Sequence, residues 1–479
     1  MKTKFFIFGA ALFGLYSCSS EEAVLSPDAD MTQDEIASTG LCFTVIDTTR
    51  VVSTEAKAMD IATRFLGGSE IKTRTTGEGN VTTIYQENGV PAMYVVNYGE
   101  DGGFVIVSAT KDTEPILAFS DSGSFVIDNI ENSPAGLWLD DTKQYVEHSS
   151  SLPDSVKLGY AQQWATLTNN TVPATKALTR GWTDPEEVVC VNQALEYYYN
   201  QGYEIIENPS SDVHSYSYTL NQALDNLSDQ KDYDGFSQRE KSFLMIKSKN
   251  QLDTVKPKTT TLWHQNSPYN GKIIEKYPNV QSIGCVPVAV AQLMKYYARP
   301  GGGFQYDKMP NVLHKSNVEE YEILSGFMLY IGERLGIEYN KGKSNSSYKK
   351  ATDLLKTHGF PHIRYIDYDF YTVKPHIQKG PIGLRAKDQN AVGHVWVCDG
   401  YYLSSTDTEY MVLYYNGNYM DATPAACLTP IYTEVNTTGN RYMHMNWGWE
   451  DNRNGYFNDN WVVKTYAYLE QRKAIIDFY

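Results

Sequence analysis

A short apolar helix that opens with a cysteine is the feature that most constrains this chain. From Gly284 to Tyr297, small and apolar residues follow Cys285 around most of the helix, which predicts a helix buried inside a domain. Pro287 suits the first turn, where a missing N–H costs nothing, and Pro300 with the glycines after it ends the helix. Unpaired N–H groups and the helix dipole stabilise a thiolate at such a position. Cys285 is therefore a candidate nucleophile, weighed against the fact that most free cysteines are buried and inert.

The segment 392–400 predicts a short apolar strand that is closed by an Asp-Gly turn and carries His394. A histidine on such a strand is more often a satisfied core residue than a base. A thiolate nucleophile, however, needs an imidazolium partner that is held rigidly, and a buried strand supplies that rigidity. His394 is thus the candidate base for Cys285.

Two further segments can complete a thiol site. The run from Tyr442 to Trp449 contains Asn446 and Trp447, an amide that can fix the tautomer of an imidazole and an aromatic ring that can shield the bond from water. The loop 262–270 contains Gln265, whose side-chain N–H could form an oxyanion hole with the backbone N–H of Cys285. Each segment alone is also compatible with ordinary packing.

Taken in their order, these four segments resemble papain-like enzymes and, more closely, the streptopain family of bacterial cysteine peptidases. The matching motifs are Gln265-Asn266-Ser267-Pro268-Tyr269-Asn270, Gly284-Cys285-Val286 leading into Ala291-Gln292-Leu293-Met294-Lys295-Tyr296, Gly393-His394-Val395 ending in Asp399-Gly400, and His444-Met445-Asn446-Trp447-Gly448-Trp449 followed by Asn454-Gly455-Tyr456-Phe457. The resemblance spans roughly residues 260–479. It implies an α+β, papain-like catalytic domain with a buried nucleophile helix and an antiparallel sheet. It also implies catalytic roles for Cys285, His394 and Gln265, and leaves open whether Asn446 or Trp447 orients His394.

The N-terminal part of the chain predicts a compact α+β unit. An amphipathic helix with Ser53 as its N-cap ends at Gly67-Gly68, and four strand-like runs follow between residues 81 and 119. The run from Gly102 to Ala109, followed by Pro115 to Ser120, resembles the propeptide of the same family. That resemblance implies an intramolecular inhibitor, which occupies or distorts the active site until proteolysis removes it.

The chain start predicts export. Lys2 and Lys4 precede an apolar run that is too short to span a membrane, and Leu15-Tyr16-Ser17-Cys18 resembles a lipobox. The resemblance implies cleavage before Cys18 and acylation of Cys18, and the alternative is an ordinary signal peptide that contains a cysteine. The predicted map is a lipoprotein signal peptide (1–17), a tether (18–45), an inhibitory prodomain (46–150), a connector of uncertain structure (151–250) and the catalytic domain (251–479).

Charge and cysteine usage narrow the possible partners. The formal net charge is −16, and no basic stripe with interleaved aromatics is present, which argues against nucleic acid. The six cysteines form no CxxC pair, which argues against zinc-ribbon chemistry, and their spacing assigns no disulfide. We expect no metal or organic cofactor, protein or peptide substrates, and membrane contact only through a lipid on Cys18.

The sequence therefore predicts a secreted, lipid-anchored cysteine endopeptidase made as a zymogen. Its expected location is the cell surface, outer membrane or periplasm, and the mature catalytic domain could be released outside the cell. An activating protease is a further expected partner. Two alternatives remain at this stage. One is a catalytically silent surface lipoprotein that binds or inhibits a partner peptidase, and the other is a thiol acyltransferase that uses the same Cys–His pair.

Overall fold

The structure is a computed structural model. It describes residues 54–68, 79–130, 133–168, 184–209, 218–230, 238–342, 344, 346–387, 393–417, 426–449, 453–459 and 472–479. The chain divides into one unit of residues 1–43 with 172–176 and a second of residues 44–171 with 177–479, and all described residues belong to the second. The predicted signal peptide, the lipobox with Cys18, the predicted tether (18–45) and the predicted cap Ser53 lie outside the described residues.

The N-terminal unit begins with one helix and four strands. These elements are α1 (Glu55–Gly68), β1 (Asn80–Tyr85), β2 (Pro91–Asn97), β3 (Phe104–Ser108) and β4 (Ile116–Ser120). Two helices follow, α2 (Pro134–His148) and α3 (Asp154–Thr168). Ser133 caps α2 by accepting the Gly136 N–H at 2.9 Å, and Pro134 occupies its first turn. The predicted strands agree with the observed ones to within one residue.

The predicted connector carries regular structure. Besides α3, which belongs with the N-terminal unit, residues 151–250 contain α4 (Pro185–Asn200), β5 (Glu204–Glu207), α5 (Tyr218–Asp229) and the start of β6 (Ser242–Val255). Asp184 caps α4 by accepting the Glu186 N–H at 2.9 Å.

The C-terminal part places most of its helices before its long strands, although one helix follows its first short strand. Its helices are α6 (Gly271–Lys276), α7 (Cys285–Tyr297), α8 (Val318–Arg334), α9 (Tyr348–Thr357) and α10 (Phe370–Lys379). Its strands are β7 (Arg364–Asp367), β8 (Ile382–Lys387), β9 (Gly393–Tyr415), β10 (Leu428–Asn446), β11 (Gly455–Asn458) and β12 (Lys473–Ile476). The helices in the part of the chain that the structure describes are too short or too polar to cross a membrane.

One antiparallel sheet connects the described strands. Its order is β1-β2-β3-β4-β11-β10-β9-β8-β12-β7, and β6 joins β9 with β5 on its outer edge. One edge of β9 is shared, because β8 pairs with residues 393–398 and β6 pairs with residues 401–414. We call α4, β5, α5 and β6, together with β9 beyond Tyr401 and its partner residues on β10, the accessory arm.

The predicted Asp-Gly turn after Cys398 is wrong, because β9 continues through it to Tyr415. Asp399 is fully buried against His444 of β10, so its carboxylate faces a partner strand instead of solvent. Gly400 allows a close approach between strands, since a Cβ atom there would lie 2.5 Å from the Val255 carbonyl oxygen of β6. A glycine within a strand can mark a close approach of another backbone, as it does here.

The two faces of β9 near His394 belong to different cores. Val395 and Val397 pack with α7 and the other helices of the catalytic domain. Trp396 and Cys398 pack in a core that also contains the N-terminal unit. The strand that carries His394 therefore lies between the nucleophile helix and the N-terminal unit.

Candidate active site

Cys285 is the first residue of α7, as the sequence predicts. The preceding Gly284 has φ +98°, a conformation that favours glycine, and a Cβ atom there would lie 1.9 Å from the Ser344 carbonyl oxygen. Its N–H is 3.3 Å from the Ser282 hydroxyl, which accepts it. This tight approach presents the Cys285 thiol, which is only partly buried, at the end of an otherwise buried helix.

Burial and hydrogen bonding act on the Cys285 thiol in opposite directions. Burial raises its pKa above the ordinary value, and the backbone N–H groups of Val395, Cys285 and Val286 oppose the rise. Two of those donors are the unpaired N–H groups at the start of α7, which are free to face an anion. The third belongs to β9. The thiolate is therefore stabilised from the helix and from the strand together.

His394 lies on β9 directly before Val395, whose N–H faces the Cys285 thiol. In the sheet it pairs with Ala386 of β8, and its side chain is partly buried. The structure thus brings the histidine strand to the nucleophile, two segments that are more than one hundred residues apart in the chain.

Gln265 is buried, and its side chain is held at one end. Its Oε1 atom accepts the Ser282 hydroxyl at 3.1 Å, and its backbone carbonyl accepts the Ile283 N–H at 3.0 Å. Among the described residues no partner is found for its Nε2 group. Ser282 therefore fixes the amide so that the Nε2 hydrogens remain available to a ligand. This anchor, two residues after Val280 and three before the nucleophile, was not anticipated from the sequence.

Asn446 is 3% exposed, and its side-chain hydrogen bonds hold a loop. Its Nδ2 group donates to the Thr261 carbonyl at 2.7 Å and to the Thr259 hydroxyl at 3.2 Å. Its Oδ1 atom accepts the Gly448 N–H at 3.4 Å. Asn446 thus connects the end of β10 to the chain that leads into the Gln265 loop.

Trp447 is buried beside the strand of His394. Its ring centroid lies 5.1 Å from that of Trp396 and 4.8 Å from that of Phe457. Its indole N–H donates to the Arg453 carbonyl at 3.0 Å. That Asn446 or Trp447 orients His394 stays a prediction. Trp447 packs on Trp396, which is two residues after His394 on the same strand.

A buried Asp399–His444 pair is the main feature that the sequence analysis missed. The two side chains are 2.6 Å apart at Oδ1 and Nδ1, and Asp399 Oδ2 accepts the Thr259 hydroxyl at 2.6 Å and the Thr259 N–H at 2.7 Å. Burial favours the neutral acid, but the charge and hydrogen bonds of His444 and Thr259 outweigh it and hold the pKa of Asp399 below its ordinary value. Both residues stand in motifs that the sequence marks, yet nothing in the spacing pairs them.

This pair extends into a polar network around the nucleophile helix. Thr259 bridges Asp399 and Asn446, and the Thr261 hydroxyl donates to Gln292 Oε1 at 2.8 Å. Gln292 is fully buried on α7. The segment 258–261 is therefore fastened to β9, β10 and α7 before the chain reaches Gln265.

The N-terminal unit docks on the catalytic domain edge to edge. Tyr456 and Phe457 of β11 pair with Phe119 and Ala118 of β4, which makes the two sheets continuous. The Tyr442 hydroxyl donates to the Ile116 carbonyl at 2.9 Å. Arg453 donates to the carbonyls at residues 126 and 128 at 2.7 and 3.0 Å.

An aromatic row links this docked unit to the active-site strands. Trp138 of α2 meets Phe457 with ring centroids 4.8 Å apart, Phe457 meets Trp447, and Trp447 meets Trp396. A cavity between α2 and the sheet is lined on one side by Leu137 and Trp138 and on the other by residues that include Trp396 and Trp447. Helix α2 thus covers the face of the sheet beside the histidine strand.

Comparison with known families agrees with both halves of this arrangement. Residues 50–146 match the model of the Spi protease inhibitor family, and residues 263–305 and 301–457 match the Peptidase C10 family. No curated protein matches the chain.

Two solved structures from Prevotella intermedia are similar to this chain. A fragment of prointerpain A (residues 39–359, with Cys replaced by Ala at its position 154) is 16% identical over 84% of this chain and 99% of its own, with a TM-score of 0.44. Active wild-type interpain A cysteine protease is 18% identical over 46% of this chain and 94% of its own, with a TM-score of 0.32. With Cys285 at the start of α7, the histidine strand beside it and an inhibitor-type unit docked on its sheet, this chain belongs to the C10 family of cysteine peptidases and is made as a zymogen.

Proposed function

We propose that this zymogen is exported, is held at the cell surface by a lipid on Cys18, and matures into an endopeptidase when its N-terminal unit is removed. The lipobox-like run at residues 15–18 supports the anchor, and the polar tether after it supports a surface position. The convergence of N–H donors from α7 and β9 on the Cys285 thiol is the observation that supports the chemistry.

The reaction we propose is acyl transfer through the thiolate of Cys285. The sulfur attacks a peptide carbonyl, and the oxygen that becomes negative is held by the Gln265 Nε2 group and the Cys285 N–H. His394 protonates the leaving amine, and water then releases the acyl-enzyme. The anchoring of Gln265 by Ser282 keeps one oxyanion donor preorganised.

Inhibition by the N-terminal unit follows from its position. Its strand β4 adds to β11, and α2 covers the face of the sheet that holds Trp396 and Trp447. A protein substrate has to reach the groove beside the histidine strand, so we propose that cleavage and departure of this unit open that side of the active site.

The test of the peptidase is the purified precursor from residue 19, incubated in reducing buffer with denatured casein, beside Cys285→Ala. We expect the wild type to trim itself and cut casein, and Cys285→Ala to do neither. Cys190→Ala is the matched control, since it removes a thiol distant in sequence from α7 and should remain active. Hydrolysis is identified by pairs of product peptides whose masses add up to the parent mass plus one water, whereas new ligated peptides identify an acyltransferase.

If the precursor stays whole, nicking it with trypsin and repeating the assay supplies an external activator. Inactivity after that step would reject the peptidase and favour the silent binding lipoprotein. The anchor is tested separately by labelling cells with an alkyne fatty acid. Label on the wild type and its loss from Cys18→Ser support the lipid, and equal labelling of both contradicts it.

A further inference from the structure

Two cysteines, Cys190 of helix α4 and Cys427 directly before β10, lie away from the active site, where the accessory arm packs. Helix α4 packs on the arm's sheet through a small core that contains Val191 and Ala194 of the helix and Phe243, Leu413 and Tyr415 of the strands. Cys427 is fully buried in this core, and Cys190 packs against it. The two thiols come from segments that are more than two hundred residues apart in sequence.

The backbone at Cys427 is firmly held. Its carbonyl accepts the Asn416 N–H at 2.9 Å, and the next residue, Leu428, begins β10 opposite Tyr415. The Asn416 side chain also donates to the Ala426 carbonyl at 2.8 Å and to the Thr429 hydroxyl at 2.7 Å. The Cys427 side chain therefore enters the core from a fixed position.

Cys190 faces the same point from the helix. It stands four residues before Ala194 and directly before Val191, both of which are fully buried, so it lies on the buried face of α4. Its side chain is partly exposed, packs against the core that contains Cys427, and lies with Cys427 beside the Tyr415 ring. Both cysteines are thiols in this structure.

We propose that Cys190 and Cys427 form a disulfide that fastens helix α4 to the sheet of the catalytic domain. The bond would hold helix α4 to the start of β10 after the prodomain has been removed. Exported proteins meet oxidising conditions in which such bonds persist, so the physiological setting rests on the proposed export, whereas the bond itself does not.

The oxidant we name is a small or protein disulfide, for example oxidised glutathione. The partly exposed Cys190 thiolate attacks one glutathione sulfur and releases the first glutathione thiol. The Cys427 thiol then gives up its proton, attacks the Cys190 sulfur and releases the second. Two protein thiols are oxidised and one glutathione disulfide is reduced. Burial and the neighbouring Cys190 thiol raise the pKa of Cys427 to about 12, so we expect the second step to be the slow one and to accelerate with pH.

The test uses the full chain carrying Cys285→Ala, which prevents self-cleavage, equilibrated with an excess of oxidised over reduced glutathione. Free thiols are then blocked in denaturant, and peptides are mapped without reductant. We expect a Cys190–Cys427 peptide pair lighter than the sum of its parts by two hydrogens. After limited trypsin digestion, the Cys190 peptide should stay attached to the catalytic domain and be released by reductant.

Two variants extend the test. Cys190→Ser and Cys427→Ser should each abolish the link and lower Tm by about 5 °C in the oxidised state, with no such difference after reduction. If the variants fail to fold, the map of the parent chain still decides. Two blocked free thiols, separate mixed disulfides with glutathione, or a pairing with Cys18 or Cys42 would overturn the proposal. The disulfide is detected by peptide mapping and the peptidase by casein cleavage. A wild type that fails to cut casein would therefore reject the peptidase and leave the disulfide result unchanged.

Discussion

The carboxyl group of Glu114 in the N-terminal unit is hydrogen-bonded to the side-chain amide of Asn458 in the catalytic domain. Glu114 is fully buried, and its other oxygen accepts the Tyr145 hydroxyl at 3.1 Å, which in turn lies 2.9 Å from the Tyr160 hydroxyl. The hydrogen-bond partners of this acid, Asn458 and Tyr145, are both neutral. An uncompensated acid therefore lies at the junction between inhibitor and enzyme.

This junction should weaken as the pH rises. Burial raises the pKa of Glu114 above its ordinary value, although hydrogen bonds from Asn458 and Tyr145 oppose the shift. A raised folded-state pKa means that the stabilising contribution is complete below the unfolded value and is lost as pH rises through the folded one. Glu114→Gln keeps the shape without the charge. In the Cys285→Ala background, we expect its Tm to match the parent near pH 4 and to exceed it increasingly at higher pH, and a constant difference across pH would contradict the prediction.

Removal of the proposed oxyanion donor, Gln265, should affect turnover more than binding. We expect Gln265→Ala to lower kcat of the matured enzyme about 10²- to 10³-fold with little change in KM, because the Nε2 group acts when charge develops on the oxygen. Ser282→Ala, which only frees the Gln265 side chain, should have a smaller effect in the same direction. Gln281→Ala, whose side chain is exposed, is the matched control. Equal rates for Gln265→Ala and Gln281→Ala would remove Gln265 from the mechanism.

The buried Asp399–His444 pair should carry a large share of the stability of the sheet. Loss of one member of a buried pair leaves the other unpaired, so Asp399→Asn should destabilise the fold by about 3–5 kcal/mol in denaturant unfolding. The control is Asp367→Asn, which removes an exposed ion pair with Lys473 and should leave the denaturant midpoint of unfolding nearly unchanged. Because the pKa of Asp399 is held low, its contribution is present above the unfolded value and is lost as pH falls through the folded one. The gap between wild type and Asp399→Asn should therefore shrink in acid, and a gap that widens there would refute the assignment.

The aromatic row predicts that Trp138 slows activation. Trp138→Ala removes a buried ring that meets Phe457, a loss of about 3–5 kcal/mol for a large aromatic. We expect the variant precursor to process itself faster than wild type, measured by the time course of precursor loss on a gel. Tyr85→Ala, at a residue that is 55% exposed on β1, is the control and should process at the wild-type rate. Unchanged processing of Trp138→Ala would show that this contact does not limit activation.

Local signals were enough to predict the helix of Cys285, the short strands of the N-terminal unit and the segments that meet at the site. Glycines, prolines and apolar periodicity act within a few residues, and they set the bounds of α7 and of β1 to β4. Partner choice across the sheet could not be predicted in this way. The continuation of β9 past Asp399 depends on His444 in another strand, and the fixing of Gln265 depends on a serine hydroxyl seventeen residues later.

The pairing of β4 with β11 has a consequence for the fate of the matured enzyme. When the N-terminal unit leaves, β11 becomes a bare sheet edge, and bare edges invite other chains to add strands and aggregate. Strand β11 has only four residues, and just two of them pair with β4. An edge this short offers little template to a foreign strand. We therefore expect removal of the N-terminal unit to cause little aggregation through this edge.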